Sequence, residues 1–100
     1  MENIIKILKV GKPEKKIKTL ETLHNTNELK ILEQIILRLS DDSIQVRGEA
    51  FNALLLNQNQ ISKILIDNLN SSDKNIRGFT SLVLANRNEK NAIPEIIKLV

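Results

Sequence analysis

Few side chains in this sequence are equipped for covalent chemistry. His24 is the only histidine among 100 residues, and there is no cysteine. A thiolate nucleophile, a disulfide framework and a cysteine metal site are therefore excluded. His24 falls at the end of an expected helix, where the helix dipole favours a cation or a contact to a C-terminal carbonyl. A catalytic or metal role for it is the minor reading. No Gly-rich phosphate loop and no Ser-His-Asp set can be picked out. The chain reads as a non-enzyme, with no catalytic residue, cofactor or metal expected.

What remains is charge, and it is unevenly placed. Residues 1–18 hold Lys6, Lys9, Lys12, Lys15, Lys16 and Lys18 against Glu2 and Glu14, a balance of +4. The other 82 residues hold nine basic and ten acidic side chains, a balance of −1. A basic end of this kind suits an anionic partner such as nucleic acid or a membrane surface. The plainer reading is a solvated, lysine-rich face on a terminal helix, and it is preferred. Two arginines are placed more systematically. "DDSIQVRGEA" begins at Asp41 and "SSDKNIRGFT" at Ser71, so Arg47-Gly48 and Arg77-Gly78 stand 30 residues apart, each just after a short polar turn.

The elements that position these residues read as helices throughout. Hydrophobic residues make up 41% of the chain, and Ile and Leu supply 30 of the 41; Trp and Tyr are absent and Phe occurs twice. Apolar residues recur at three- and four-residue spacings, with no sustained alternation to suggest strands. Residues 2–10 form a short first helix with Ile4, Ile5, Ile7 and Leu8, stopped at Gly11. Pro13 opens a second helix through Ile17, Leu20 and Leu23. Asn27 is a candidate cap for a helix over 28–39, whose stripe is Leu29, Ile31, Leu32, Ile35, Ile36 and Leu39. Ser43 and Asp73 are candidate N-caps for helices over 44–57 and 74–86. A helix over about 61–69 lies between them, and "AIPEIIKLV" is expected to form the last. No apolar run approaches the ~20 residues that span a bilayer, and "MENIIKILKVGKPEKK" lacks the small-residue cleavage site of a signal peptide. A cytoplasmic setting is expected.

The seven expected helices repeat in pairs. At an offset of 30, Leu39, Arg47, Gly48, Leu54, Ile66 and Leu69 recur as Leu69, Arg77, Gly78, Leu84, Ile96 and Leu99. Val46 matches Ile76 in type, and Leu65 against Glu95 is a miss. A fixed helical period of this length signals a solenoid, in which each pair buries its apolar face against its neighbours. "DSIQVRGEAFNALL" and "DKNIRGFTSLVLANRNEKNAIPEIIKLV" resemble HEAT-like repeats of the phycobilisome-lyase type. The family pattern is a turn Asp or Pro, Val-Arg, an apolar ladder to Leu, a polar turn and Ala-Ile-Pro. The resemblance covers residues 40–100 well and 13–39 by period alone. Thr80 departs from it where a small Ala is usual, and Ile44 where a Pro is. It implies an all-α, armadillo-like architecture: a right-handed α-solenoid of antiparallel helix pairs. The expected domain is 1–100, with an N-terminal helix 2–10 and pairs about 13–39, 43–69 and 73–100.

Enzymes built on such repeats are also brought up by the resemblance. A di-iron hydroxylase needs repeated His-Glu pairs, and none exist here. DNA glycosylases need aromatic side chains to hold an extruded base. A bilin lyase has no positive feature in its favour, and a lyase-like or regulatory subunit of an enzyme is the weaker alternative. In the family the repeated Arg reaches an acidic or carbonyl group in the adjoining turn, a task suited to its planar fork of donors. Asp41, Asp42 and Asp73 are candidate acceptors. Gly48 and Gly78, at ~1 kcal/mol each relative to Ala inside a helix, suggest close backbone packing between repeats. Arg47, Gly48, Arg77 and Gly78 are thus expected to mark the joint between stacked pairs. An anion site made by the two arginines is the sharper alternative.

The expected role is a protein-protein interaction module or scaffold. In HEAT-type solenoids the second helices line the concave side. At ~100° per residue the face opposite Ile35 carries Lys30, Glu33, Gln34 and Leu37. Extending by one and two periods aligns Leu37 with Asp67 and Ile97, and Glu33 with Lys63 and Ile93. Arg38, Asn68 and Lys98 lie on the flank. Lys30, Glu33, Leu37, Lys63, Asp67 and Ile97 are the candidate contacts for a peptide or protein. A nucleic-acid or anion binder using the lysine-rich end is the alternative. Because "AIPEIIKLV" ends in mid-stripe, residues 91–100 are expected to contact another chain, self-associate, or continue into a longer array.

Overall fold

A computed structural model describes residues 2–87. The last expected helix, with Ile93, Ile97 and Lys98, lies outside the described residues. Within them the protein is all-helical, with no strand. Six α-helices run in order: α1 Glu2–Val10, α2 Pro13–Glu21, α3 Leu29–Leu37, α4 Ile44–Leu55, α5 Ser62–Asp67 and α6 Lys74–Asn86. Short 3-10 turns, Arg38–Ser40 and Asn68–Asn70, extend α3 and α5.

Local chemistry explains most of the boundaries. α1 stops where the Gly11 N–H reaches back to the Ile7 carbonyl at 2.8 Å. A Cβ at Gly11 would stand 2.6 Å from that same oxygen, so any other residue would strain the turn. Pro13 opens α2, where its missing N–H costs nothing. α4 begins at Ser43, whose hydroxyl accepts from the Val46 N–H, and α6 at Asp73, whose carboxylate accepts from the N–H groups of Asn75 and Ile76. Asn27 does not cap α3. Its N-cap is Glu28, held instead by the Thr26 hydroxyl, which accepts from the Glu28 N–H at 3.3 Å. α2 ends at Glu21, three residues before the expected stop, although Leu23 is still buried beyond it.

The 30-residue period is visible in the elements and in the core. The 3-10 turns begin at 38 and 68, and α4 and α6 at 44 and 74. Buried residues match in the same register: Ile31 with Ile61, Ile35 with Leu65, Leu39 with Leu69, Val46 with Ile76, Ala53 with Val83, and Leu54 with Leu84. Ala50 corresponds to Thr80, also fully buried, whose hydroxyl has no hydrogen-bond partner among the described residues. α1 lies against α3, α2 against α4, and α4 against α6. α3 also packs on α4, and α5 on α6. Burying these aliphatic stripes between helices is the main stabilising term.

Polar links tie each turn to the one a period away. The Arg38 guanidinium donates to the Leu8 carbonyl at 2.5 Å. Asn57 donates to Thr26 O at 2.7 Å and Asn59 to Asn25 O at 2.8 Å. Arg87 donates to the carbonyls of Leu54, Asn57 and Asn59. Ser40 donates to the Asp73 carboxylate at 2.7 Å. The joint is thus made by side chains that reach across one period, mostly to backbone carbonyls of loops and helix ends.

Arg47 and Gly48 take no part in it. Arg77 does donate to its own preceding turn, to Ser71 O at 2.8 Å. The Arg47 guanidinium makes no hydrogen bond or ion pair among the described residues, and its Nε is buried without a partner. Gly48 and Gly78 are exposed, and a Cβ on either would meet nothing within 4 Å. The close backbone approach expected of them is absent among the described residues.

Candidate functional site

α3 and α5 border a groove of about 830 Å³. Its floor is apolar, from the buried Leu32 and Ile36 of α3, the buried Ile61 and the half-buried Ile64 of α5. These residues also belong to the core, so the floor is held in place by the packing of α3 on α4 and α5 on α6. The rim is mixed. Leu29 and Leu37 stand 60% and 45% exposed on the α3 side beside Glu33. On the α5 side Lys63 and Asp67 pair across one helical turn at 3.6 Å. Both are largely in water, so the pair adds little to stability and stays free to exchange partners. Asn27, Asn59 and Gln60 close one end with amide groups.

Of the six residues expected to line a binding face, this groove brings together Glu33, Leu37, Lys63 and Asp67. Lys30 is exposed but does not line it. Ile97 lies outside the described residues. Arg38, expected on the flank, is turned inward to Leu8 O and lies 3.4 Å from Asp41. Gln34 lines the groove wall, with a buried side-chain oxygen lacking a partner. A helical wheel cannot show the contributions of Asn27, Asn59 and Gln60, because these come from loops brought to the groove end by long-range packing.

Elsewhere Lys16, Asp41, Asp73, His24 and Glu49 are engaged in structure. The Lys16 ammonium and Asp41 carboxylate meet at 2.6 Å, almost out of water. Burial alone would raise the Asp41 carboxyl, but the Lys16 hydrogen bond, the Ser43 N–H and the Lys16 and Arg38 charges outweigh it and hold it below the ordinary carboxylate value. Asp73 is likewise held low, first by the Ser40 hydroxyl and then by the Ile76 N–H, with the Asn75 N–H and the Arg77 charge adding to it. His24 does not cap its helix; its Nε2 meets Glu49 of α4 at 2.9 Å. Lys6, Lys9, Lys12, Lys15 and Lys18 are exposed.

No group of three or more His, Cys, Asp or Glu residues is placed to hold a metal ion among the described residues. No helix there is long and apolar enough to cross a membrane. Compared with family models, curated proteins and solved structures, the chain matches none. The groove's own geometry is therefore what speaks to function. An apolar floor, a rim carrying both charges and amides at one end can bury side chains and hydrogen-bond a peptide backbone. It offers a phosphate backbone no concentration of positive charge.

Proposed function

We propose that this chain is a non-enzymatic interaction module, a HEAT-like right-handed solenoid of helix pairs whose α3–α5 groove takes a peptide or a protein surface. The observation that carries the reading is the groove itself. Four residues that the repeat period aligns on one face line a single cleft with an apolar floor. The 30-residue recurrence of buried positions supports the repeat architecture. Capture experiments test the reading. Immobilised wild-type chain and a Leu37→Asp variant are exposed to a lysate of the source organism, and bound proteins are read by mass spectrometry. Leu37 is half in water, so the variant should keep its circular dichroism spectrum. A protein retained by the wild type and lost from Leu37→Asp is the expected result. Equal retention by both baits overturns the reading.

A second reading rests on the five exposed lysines of α1, α2 and the turn between them, which suit an anion or nucleic acid. It predicts retention of RNA or DNA that falls steeply between low and physiological salt, as phosphate contacts release counterions. A salt-insensitive protein partner speaks against it.

A further inference from the structure

The face formed by α4 and α6 carries a second surface. Ile44, Arg47, Gly48 and Phe51 of α4, with Phe79 and Leu82 of α6, line a depression of about 420 Å³. Ile44 is 73% exposed and Leu82 51%. The rings of Phe51 and Phe79 meet edge to face with centroids 6.1 Å apart, and both remain half-buried. Ile44 and Leu82 thus leave large apolar side chains in water beside two aromatic rings.

Two further observations indicate the partner's chemistry. Arg47 is the one charged residue of the lining, and no carboxylate stands with it. Its guanidinium has neither a hydrogen bond nor an ion pair among the described residues, and the Nε is buried and unmatched. The Nε is closed to solvent, so an occupant meets the guanidinium through its terminal nitrogens, and a carboxylate accepts from both through two parallel bonds. Gly48 lies beside it in the helix interior, where glycine is less favourable than alanine. No described neighbour requires the missing side chain, since a Cβ there would meet nothing within 4 Å. What the glycine provides is open backbone at the depression, room for a group arriving from outside.

We propose that this depression docks an amphipathic segment of a partner protein, its apolar side chains on Phe51, Phe79 and Leu82 and a carboxylate on Arg47 beside Gly48. The surface shares no residue with the α3–α5 groove, so the two can be tested apart. The probe is a fluorescein-labelled helical peptide of leucines and glutamates, with a counterpart in which lysine replaces every glutamate. Amide spectra of the whole chain map the contact. The glutamate peptide should shift Gly48, Phe51, Phe79 and Leu82. Arg47→Glu and Gly48→Leu should each weaken it about tenfold or more, and Arg47→Lys less, because the ammonium keeps the charge and loses the fork. Leu37→Asp should leave it unchanged. If Gly48→Leu fails to fold, the Arg47 variants decide alone. Equal binding of the lysine peptide, shifts confined to the α3–α5 groove, no shift at all, or an unaltered affinity in Arg47→Glu overturns the proposal. So does a dimer seen in sedimentation without peptide and abolished by Arg47→Glu, which would make the surface a contact between copies of this chain.

Discussion

Replacing Gly48 by alanine should make the protein more stable, and the sign of the change is diagnostic. Glycine in an exposed helix interior is ~1 kcal/mol less favourable than alanine because it loses more backbone freedom on folding. That gain is realised only where the added methyl has room. At Gly48 and Gly78 a Cβ meets no heavy atom within 4 Å, so each replacement should keep the full gain. At Gly11 the same methyl would press on the Ile7 carbonyl at 2.6 Å, and the cost of such crowding is about 1–3 kcal/mol. One substitution thus has two predicted signs in one chain. Urea unfolding followed by circular dichroism reads both. With a slope near ~1 kcal/mol/M for a small domain, Gly48→Ala and Gly78→Ala should each raise the midpoint by roughly 1 M. Gly11→Ala should lower it by at least as much. A fall in stability at both Gly48 and Gly78 would mean that a backbone or side chain does approach them, and would restore the joint role that the sequence suggested.

Other perturbations follow from the same contacts. Leu54→Ala or Leu84→Ala removes a side chain almost fully out of water and should cost ~2–5 kcal/mol; a loss under ~1 kcal/mol at both positions would contradict the core assignment. Thr80→Val should stabilise by ~1 kcal/mol, since it replaces a buried hydroxyl with no partner by a methyl of the same shape; a loss would reveal a hydrogen bond to that hydroxyl. Asp41 is held below its ordinary value of 3.8, so its contribution is complete above that pH and lost as pH falls below it. Asp41→Asn should therefore cost on the order of 3 kcal/mol at pH 7, leaving Lys16 buried and unpaired, and should flatten the loss of stability below about pH 4. An unchanged acid profile would refute that assignment.

Signals confined to a few neighbouring residues were the legible ones. Gly11 and Pro13 mark a stop and a start, and Ser43 and Asp73 each cap a helix with a side-chain oxygen facing N–H groups two or three residues on. The period of 30 carried the core as well, because burial at Leu39, Val46 and Leu54 recurs wherever the stripe recurs. The early end of α2 and the 3-10 turns after α3 and α5 were not legible. Leu23 is buried beyond α2, and Leu39 and Leu69 are buried in the 3-10 turns, so hydrophobic spacing continues past the last α-helical turn. The polar joint was missed for a different reason. Asn57, Asn59 and Arg87 reach carbonyls 28 to 34 residues away, and carbonyls belong to every residue type, so no composition betrays their acceptors. At the candidate groove the rim was readable as columns one period apart, Glu33 with Lys63 and Leu37 with Asp67. The floor was not, because Ile36 and Ile64 serve the core and the cleft together.

Hydrogen-deuterium exchange on the full chain, with and without the protein captured by the wild-type bait, tests the groove most directly. Local protection reports which backbone segments a partner covers. Slower exchange along residues 29–37 and 60–68, abolished by Leu37→Asp, is the predicted result. Protection confined to residues 3–18, with the α3 and α5 amides exchanging as in the free chain, would contradict it and place the partner on the lysine-rich end.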